Sequence, residues 1–386
     1  MARLYLTSRR YLLVNRRVLF ISAPIGAGHI RAAQAVSQIL RADYGCQTQL
    51  CNIFDFFPAF IGQTVLKIYL KILALFPAVY GSAYKWGNHS RLALFGRELV
   101  SRILARRMVN YISDFKPAVI ICTHATPAGI VAWLKNNRLI TAPAAAIITD
   151  FVVHRLWVYP EFNCYFVAHP AMRDYLCQHG VASRDIEVTG IPVSPSFSLP
   201  VNKDELYAKL KLFPDYKTIM IMGGGAGILP ITEILELCSQ IDGALQFIAI
   251  AGKNQALYRD LLRLESVSKH PVRVFGYVEN IHELMSIADL LISKPGGMSA
   301  AEALAKGVPL VIFRPIPGQE IANTRYLLDN AAAFRADSLS ELKSMISRML
   351  VEDNTSLIEL RKNAVSLGQP DAARNIAGII AKNYLN

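Results

Sequence analysis

The chain has 386 residues, 53% of them hydrophobic and 18% charged, which excludes a disordered or fibrous protein and gives enough chain for two cores of ordinary size. Its formal net charge of +12 is one-sided: residues 1–195 hold 21 Lys and Arg against 9 Asp and Glu, and residues 196–386 hold 20 of each. A basic half of that kind points to an anionic partner, nucleic acid or membrane.

The first 17 residues are basic and partly apolar, with Arg9-Arg10 and Arg16-Arg17, and lack the small-residue cleavage site of a signal peptide. A mobile or membrane-grazing arm is expected there. Arg17 to Ser22 reads as a strand, residues 23–29 as a glycine-rich turn, and the apolar spacing from Ile30 to Leu40 as a helix. Strand, glycine turn and helix open a Rossmann-like lobe, although the glycines do not fit G-x-G-x-x-G and so disfavour a dinucleotide. His29, at the helix start, is either a cap or packing residue or a functional group.

From Phe54 to Tyr84 the chain is strongly apolar, but Pro58, Lys67, Lys71 and Pro77 interrupt it. No run reaches the ~20 residues of a spanning helix. Lys85, Arg91, Arg97, Arg102, Arg106 and Arg107 follow, interleaved with Trp86, Phe95 and several leucines. An apolar segment beside a cationic one suits a surface lying in a membrane interface. The plain alternative is a set of amphipathic helices with a solvated basic face.

Further strands are expected at Val119–Cys122, Ala144–Thr149, Cys164–Ala168 and Ile186–Thr189. Asp150, at a strand end, could orient His29, take a proton itself, or cap the next turn. His124 and His154 lie in similar loops. The six cysteines (Cys46, Cys51, Cys122, Cys164, Cys177 and Cys238) have neither paired nor metal-ligand spacing and read as buried thiols of a reducing compartment.

A proline-rich join, Gly190 to Pro200, separates an N-terminal lobe (residues 1–195) from a C-terminal one (residues 196–386). Tyr216 to Met222 is then a strand running into Gly223, Gly224, Gly225 and Gly227, whose N–H groups can face a pyrophosphate at the start of another helix. Strands follow at Gln246–Ile250 and from Val272 toward Gly276. Leu290 to Ser293 ends in the tight turn Pro295-Gly296-Gly297, which feeds a helix from Ser299 to Lys306. A helix N-terminus there suits a phosphate or sugar oxygen. Gly307 closes that helix, Val308 to Phe313 is another strand, and Pro315 to Gln319 is a rigid loop. Glu302 is within reach of a diol, and Gln319, Glu320 and Asn323 add hydrogen-bonding groups of the kind a polyhydroxylated ligand requires. A final helix is expected over Asp371–Leu385.

Taken in order, these segments resemble one family. K-P-G-G-M-S-A-A-E-A-L (294–304) followed by P-I-P-G-Q-E-I-A-N (315–323) is similar to the donor signature of the monogalactosyldiacylglycerol synthase and processive diacylglycerol β-glucosyltransferase family. G-A-G-H (26–29), T-D-F-x-x-H-x-x-W (149–157) and G-I-P-V-x-P-x-F (190–197) agree with it. The departures are Phe151 after the motif aspartate and Met298 where many relatives have leucine.

The resemblance implies an α/β fold of two Rossmann-like lobes (GT-B) with the active site in the cleft between them. The chain would be an inverting glycosyltransferase moving a hexose from UDP-glucose or UDP-galactose to diacylglycerol or a related lipid, without a metal or other cofactor. It would work peripherally, on the cytoplasmic face of a membrane with an anionic surface. His29 or Asp150 would take the acceptor proton. Tyr277 and Val278 would hold the uracil through their backbone and Glu302 the ribose diol. Gln319, Glu320 and Asn323 would meet the sugar, while Gly223–Gly227, Gly296, Gly297 and Ser299 would neutralise the leaving diphosphate. Two rivals are a UDP-sugar 2-epimerase without lipid acceptor and a nucleic-acid-binding module. The greasy basic segment argues against the first. Against the second stands the lack of zinc spacing, an RNA motif or a long basic tract.

Overall fold

The computed structural model describes residues 16–24, 27–57, 64, 91–224, 227, 229–316 and 318–385, the side chains of 91–101 and 103 excepted. The N-terminal arm and, apart from Thr64, the chain from 58 to 90 therefore lie outside the described residues.

Two six-stranded sheets organise what is described. The first comprises β1 (Arg17–Ser22), β2 (Gln47–Asn52), β3 (Val119–Cys122), β4 (Ala144–Ile147), β5 (Cys164–Val167) and β6 (Ile186–Val188), in the order β2-β1-β3-β4-β5-β6. The second comprises β7 (Lys217–Met222), β8 (Leu245–Ile250), β9 (Val272–Phe275), β10 (Leu290–Ser293), β11 (Leu310–Phe313) and β12 (Ala333–Ala336), in the order β12-β11-β10-β7-β8-β9. Every pairing is parallel. Parallel strands with both faces covered need unbroken apolar runs, and VLFIS, VIIC, LQFIAI and LVIF supply them. The edge strands β2 (QTQLCN) and β12 (AFRA) are too polar for that pattern and escape a reading based on it.

In chain order, the second sheet runs 3-2-1-4-5-6 from its β9 edge, the Rossmann arrangement. Its order reverses between β7 and β10, and that of the first sheet between β1 and β3. Ligand crevices form beyond the carboxyl ends of strands at such points. The glycine turns identified in the sequence follow β1, β7 and β10, so they occupy those places.

Alternate residues of a strand face opposite sides. In the first sheet Leu19, Ile21 and Ile120 pack with Leu104, Met108 and Ile112 of the Arg91–Phe115 helix. Val18, Phe20 and Ile121 face the Gly28–Tyr44 helix and, beside it, the last helix, Ala372–Tyr384. The final helix expected from the sequence thus packs on the first sheet. Ala373, Ile376, Ala377 and Ile380 are at most 1% exposed, and Arg374 pairs with Asp43 at 2.7 Å. One core of the second sheet also takes in Ile191, Val193 and Phe197 of the join and reaches Ala32 and Phe151 of the first half.

Candidate active site between the two sheets

The carboxyl ends of the sheets point at each other. The clearest sign is Gly297: a Cβ there would lie 2.0 Å from the Thr149 carbonyl oxygen and 3.0 Å from Asp150 Oδ1. No other residue fits, because the second glycine of the turn meets the loop after β4. Gly28 has a milder version of the same contact with Met298.

On the first sheet, His29 lies in the opening turn of its helix, which begins at Gly28, two residues earlier than the apolar spacing indicates. It does not cap that helix; the N-cap is Ala27. His29 Nδ1 and Thr149 Oγ1 are 2.6 Å apart, and the ring meets His124 edge to face at 4.7 Å between centroids. Burial lowers the His29 pKa below the ordinary histidine value, while the Asp150 charge and a hydrogen bond to the Thr123 backbone offset part of that shift. The imidazole is therefore neutral, and able to accept a proton, at neutral pH. His124 is held well below its usual value by burial and by the neighbouring His29. Its Nδ1 accepts the Thr126 N–H at 3.1 Å and caps the Ala125–Asn136 helix. His154 likewise caps a short 3-10 turn through Leu156 N–H. Both histidines therefore have structural work.

On the second sheet, Gly223 follows β7 and is buried, Gly224 is exposed, and Gly227 sits against the Ala251 carbonyl. Gly225 lies outside the described residues. The next helix opens only at Ile231, after Pro230, so the glycine loop does not lead straight into it as the sequence reading expects. Tyr277 and Val278 follow β9 on the same sheet end; Tyr277 is 53% exposed, with the Lys253 ammonium 5.3 Å above its ring. Around Gly296, space is open where a side chain would stand. Ser299, partly buried, is in the first turn of the Gly297–Ala305 helix. Gln319 begins the Gln319–Asp329 helix behind Gly318, whose φ of +112° few other residues tolerate. Glu320 Oε2 accepts the Ile316 N–H at 2.7 Å, bracing the loop. Burial raises the Glu320 pKa, against that bond and the Lys294 charge, with Asp150 adding to the rise.

Asn323, Tyr326 and Glu302 of the second lobe reach across to the first. Asn323 is fully buried: its Nδ2 donates to Asp150 Oδ1 and to the Pro295 carbonyl, both at 3.0 Å, and its Oδ1 accepts the Phe151 N–H at 2.9 Å. That amide has two donor hydrogens and an acceptor, and all are used between protein groups. Beside it, Tyr326 stacks on Phe151 and on His169, at 4.7 and 4.2 Å. Glu302 is 1% exposed and its Oε1 accepts a hydrogen bond from Arg31 of the first lobe. Burial pushes its carboxyl up to about 7, and Arg31 pulls against that rise. A free carboxylate facing an open cleft is thus not what this structure holds.

Sequence reasoning gave Glu302 and Asn323 to the donor and His29 or Asp150 to the acceptor proton, and the fold brings all four to the junction of the two sheets. It missed Arg31 and the part played by Thr149. For Arg31 a signal exists: a cation in the first turn of a helix opposes the helix dipole and calls for another partner.

A sequence profile described as monogalactosyldiacylglycerol (MGDG) synthase matches residues 29–193, and one described as glycosyltransferase family 28 C-terminal domain matches residues 218–376. The chain is 31% identical over 388 aligned positions to a processive diacylglycerol β-glucosyltransferase of Bacillus cereus (strain G9842), covering 97% of this chain and 95% of that protein. Among solved structures it is similar to MurG of Acinetobacter baumannii, with a TM-score of 0.62, 17% identity, and coverage of 95% of this chain and 99% of that one. It is also similar to UDP-GlcNAc 2-epimerase of Neisseria meningitidis bound to UDP-GlcNAc, with a TM-score of 0.58, 16% identity, and coverage of 95% and 100%. At those identities the two structures speak for the fold alone.

Proposed function

The chain belongs to the monogalactosyldiacylglycerol synthase and processive diacylglycerol β-glucosyltransferase family, and on that premise we propose that it transfers a hexose from a UDP-sugar to diacylglycerol or a closely related lipid, with inversion at the anomeric carbon. The observation that carries this reading is the likeness to the Bacillus cereus enzyme along essentially the whole of both chains. The 2-epimerases share the architecture and gain no comparable support.

The reaction is a single displacement. The acceptor hydroxyl oxygen bonds to the anomeric carbon as the bond from that carbon to the β-phosphate oxygen breaks, UDP leaves as the anion, and the hydroxyl proton passes to a base. His29 suits that last step: neutral, fixed at Nδ1 by Thr149, and near a carboxylate whose charge favours the imidazolium that forms. Asp150, already bonded to Asn323 through Oδ1, is the alternative base. Glycine N–H groups after β7 and the N-terminus of the Gly297–Ala305 helix would stabilise charge growing on the leaving diphosphate. Residues 196–386 serve the donor and residues 1–195 the acceptor and the membrane. Docking to an anionic leaflet rests on the exposed Arg102, Arg106 and Arg107 and on the apolar stretch before them. Among the described residues no helix is long and apolar enough to cross a membrane. The cytoplasmic face of a membrane is the side on which we place the enzyme, as a peripheral protein.

The deciding experiment incubates the protein with radiolabelled UDP-glucose or UDP-galactose and diacylglycerol vesicles. Label is expected in a lipid-soluble glycoside from at least one donor. Label in neither, with label appearing in an epimerised UDP-sugar, would transfer the assignment to the epimerase reading.

A further inference from the structure

The contact between Arg31 and Glu302 joins residues 271 positions apart and runs from the first lobe to the helix of the donor signature. Arg31 stands in an alanine-rich turn, two residues after His29, and its side chain is 36% exposed, while that of Glu302 is 1% exposed. The bond occupies Oε1 only. Glu302 Oε2 is enclosed and has no hydrogen-bond partner among the described residues. An ionised carboxylate accepts about four hydrogen bonds, and leaving one of its oxygens buried without any is costly. An unpaired acceptor of this kind, in the helix that follows the Pro-Gly-Gly turn, has the chemistry to receive a ligand hydroxyl once the groups that enclose it make room.

Holding that carboxyl ionised is itself a difficulty. Burial favours the neutral acid, and Arg31 is the charged group that opposes it. Lys306, the C-cap of the same helix, is engaged elsewhere, with the Leu199 carbonyl at 3.1 Å and the ring of Phe197. The helix itself offers no substitute for Arg31, and neither does the join packed on it.

We infer that Arg31 is a positioning residue of the donor site: from across the cleft it fixes Oε1 of Glu302, leaving Oε2 to accept a hydroxyl of the donor nucleotide. This rests on the reading of Glu302 as a nucleotide ligand. It makes donor binding a joint property of both lobes, since half of the nucleotide-side carboxylate is set by the lobe that holds the acceptor.

The test uses the full chain, calorimetry with UDP, and initial rates with UDP-glucose and UDP-galactose. Glu302→Gln is expected to weaken UDP binding at least tenfold, which checks the underlying reading. Arg31→Met is expected to weaken it by a similar factor and to raise the KM for the UDP-hexose much more than it lowers kcat. The double variant should bind no more weakly than Glu302→Gln alone, because Arg31 acts through Glu302. Arg31→Lys, which keeps the charge, should recover part of the affinity. Titrated with UDP-hexose, whose diphosphate does not change charge near neutrality, the parent should lose affinity as pH falls through about 7. Arg31→Met should show that loss at higher pH, since the force lowering the Glu302 pKa has gone. A merely structural bridge would not move that midpoint. The inference is overturned if Arg31→Met binds UDP as tightly as the parent or more tightly, if the midpoint stays in place, or if the double variant loses the sum of both single effects. Unchanged UDP affinity in Glu302→Gln would remove the nucleotide reading itself and this inference with it, and the variant that fails tells the two apart.

Discussion

His29 carries the chemistry at the scale of single residues, and its surroundings decide how it behaves. Burial lowers its pKa and the Asp150 charge raises it. The acid limb of kcat, measured at saturating donor, should therefore lie below the ordinary histidine value of about 6.5, and saturated turnover should hold as pH drops from neutrality toward that value. Asp150→Asn should shift the limb further down, because it removes a contribution that stabilises the protonated ring. His29→Ala should cut turnover by roughly 10²–10⁴-fold while UDP affinity changes little. A fall of less than tenfold would make His29 a structural residue and leave Asp150 as the base. The identities of these residues were legible because each stands in a short motif at a strand end. Their bonds were not. Nothing along the chain says that Asn323 spends its whole amide on Asp150, Phe151 and Pro295, or that Arg31 faces Glu302.

At the scale of elements, the Arg91–Phe115 helix shows how one segment serves two environments. Leu104, Met108 and Ile112, four residues apart, are buried against the first sheet, and Arg102, Arg106 and Arg107 are exposed. That spacing puts an apolar stripe on one side and cations on the other. Replacing the three arginines with serine should release the protein from anionic vesicles by about 100-fold, at about 1 kcal/mol for each charge near the leaflet. Raising the ionic strength should mimic the variant, and UDP affinity should stay at the parent value. If the triple variant sediments with anionic vesicles as the parent does, the cluster is a solvated face. Element positions were read well where apolar runs are continuous: β1, β3 and β10 fall on the residues expected. The reading failed at β2 and β12, since an edge strand is buried on fewer sides and its composition need not be apolar. It also ran the Gly223–Gly227 loop into a helix that starts later, because Pro230 sets the helix start.

The whole molecule is tied together by its final helix. Ala372–Tyr384 follows the second lobe in sequence but seals the back of the first sheet beside Val18, Phe20, Val36 and Leu40. Ile380→Ala should therefore destabilise the first lobe, by about 2–5 kcal/mol for a buried isoleucine truncated to alanine. The three tryptophans, Trp86, Trp133 and Trp157, all belong to the first half of the chain, so their fluorescence in a urea titration reports on that lobe. An unmoved midpoint would mean that the helix is a loose appendage.

What the sequence by itself determined is local and periodic. Unbroken apolar runs that end in glycine turns specify buried parallel strands with ligand loops at their carboxyl ends, since backbone sterics and burial act over a few residues. Order and spacing of the motifs were enough to name a family, because each motif carries its chemistry in adjacent residues. The tertiary structure alone decided which loops meet. Two independent sheets could dock in many ways, and the choice rests on contacts between residues more than a hundred positions apart: the Gly297 backbone against Thr149, Asn323 on Asp150, Arg31 on Glu302, and the last helix on the first sheet. Such pairings depend on shape and charge matching across a surface, and no periodicity within either segment encodes them.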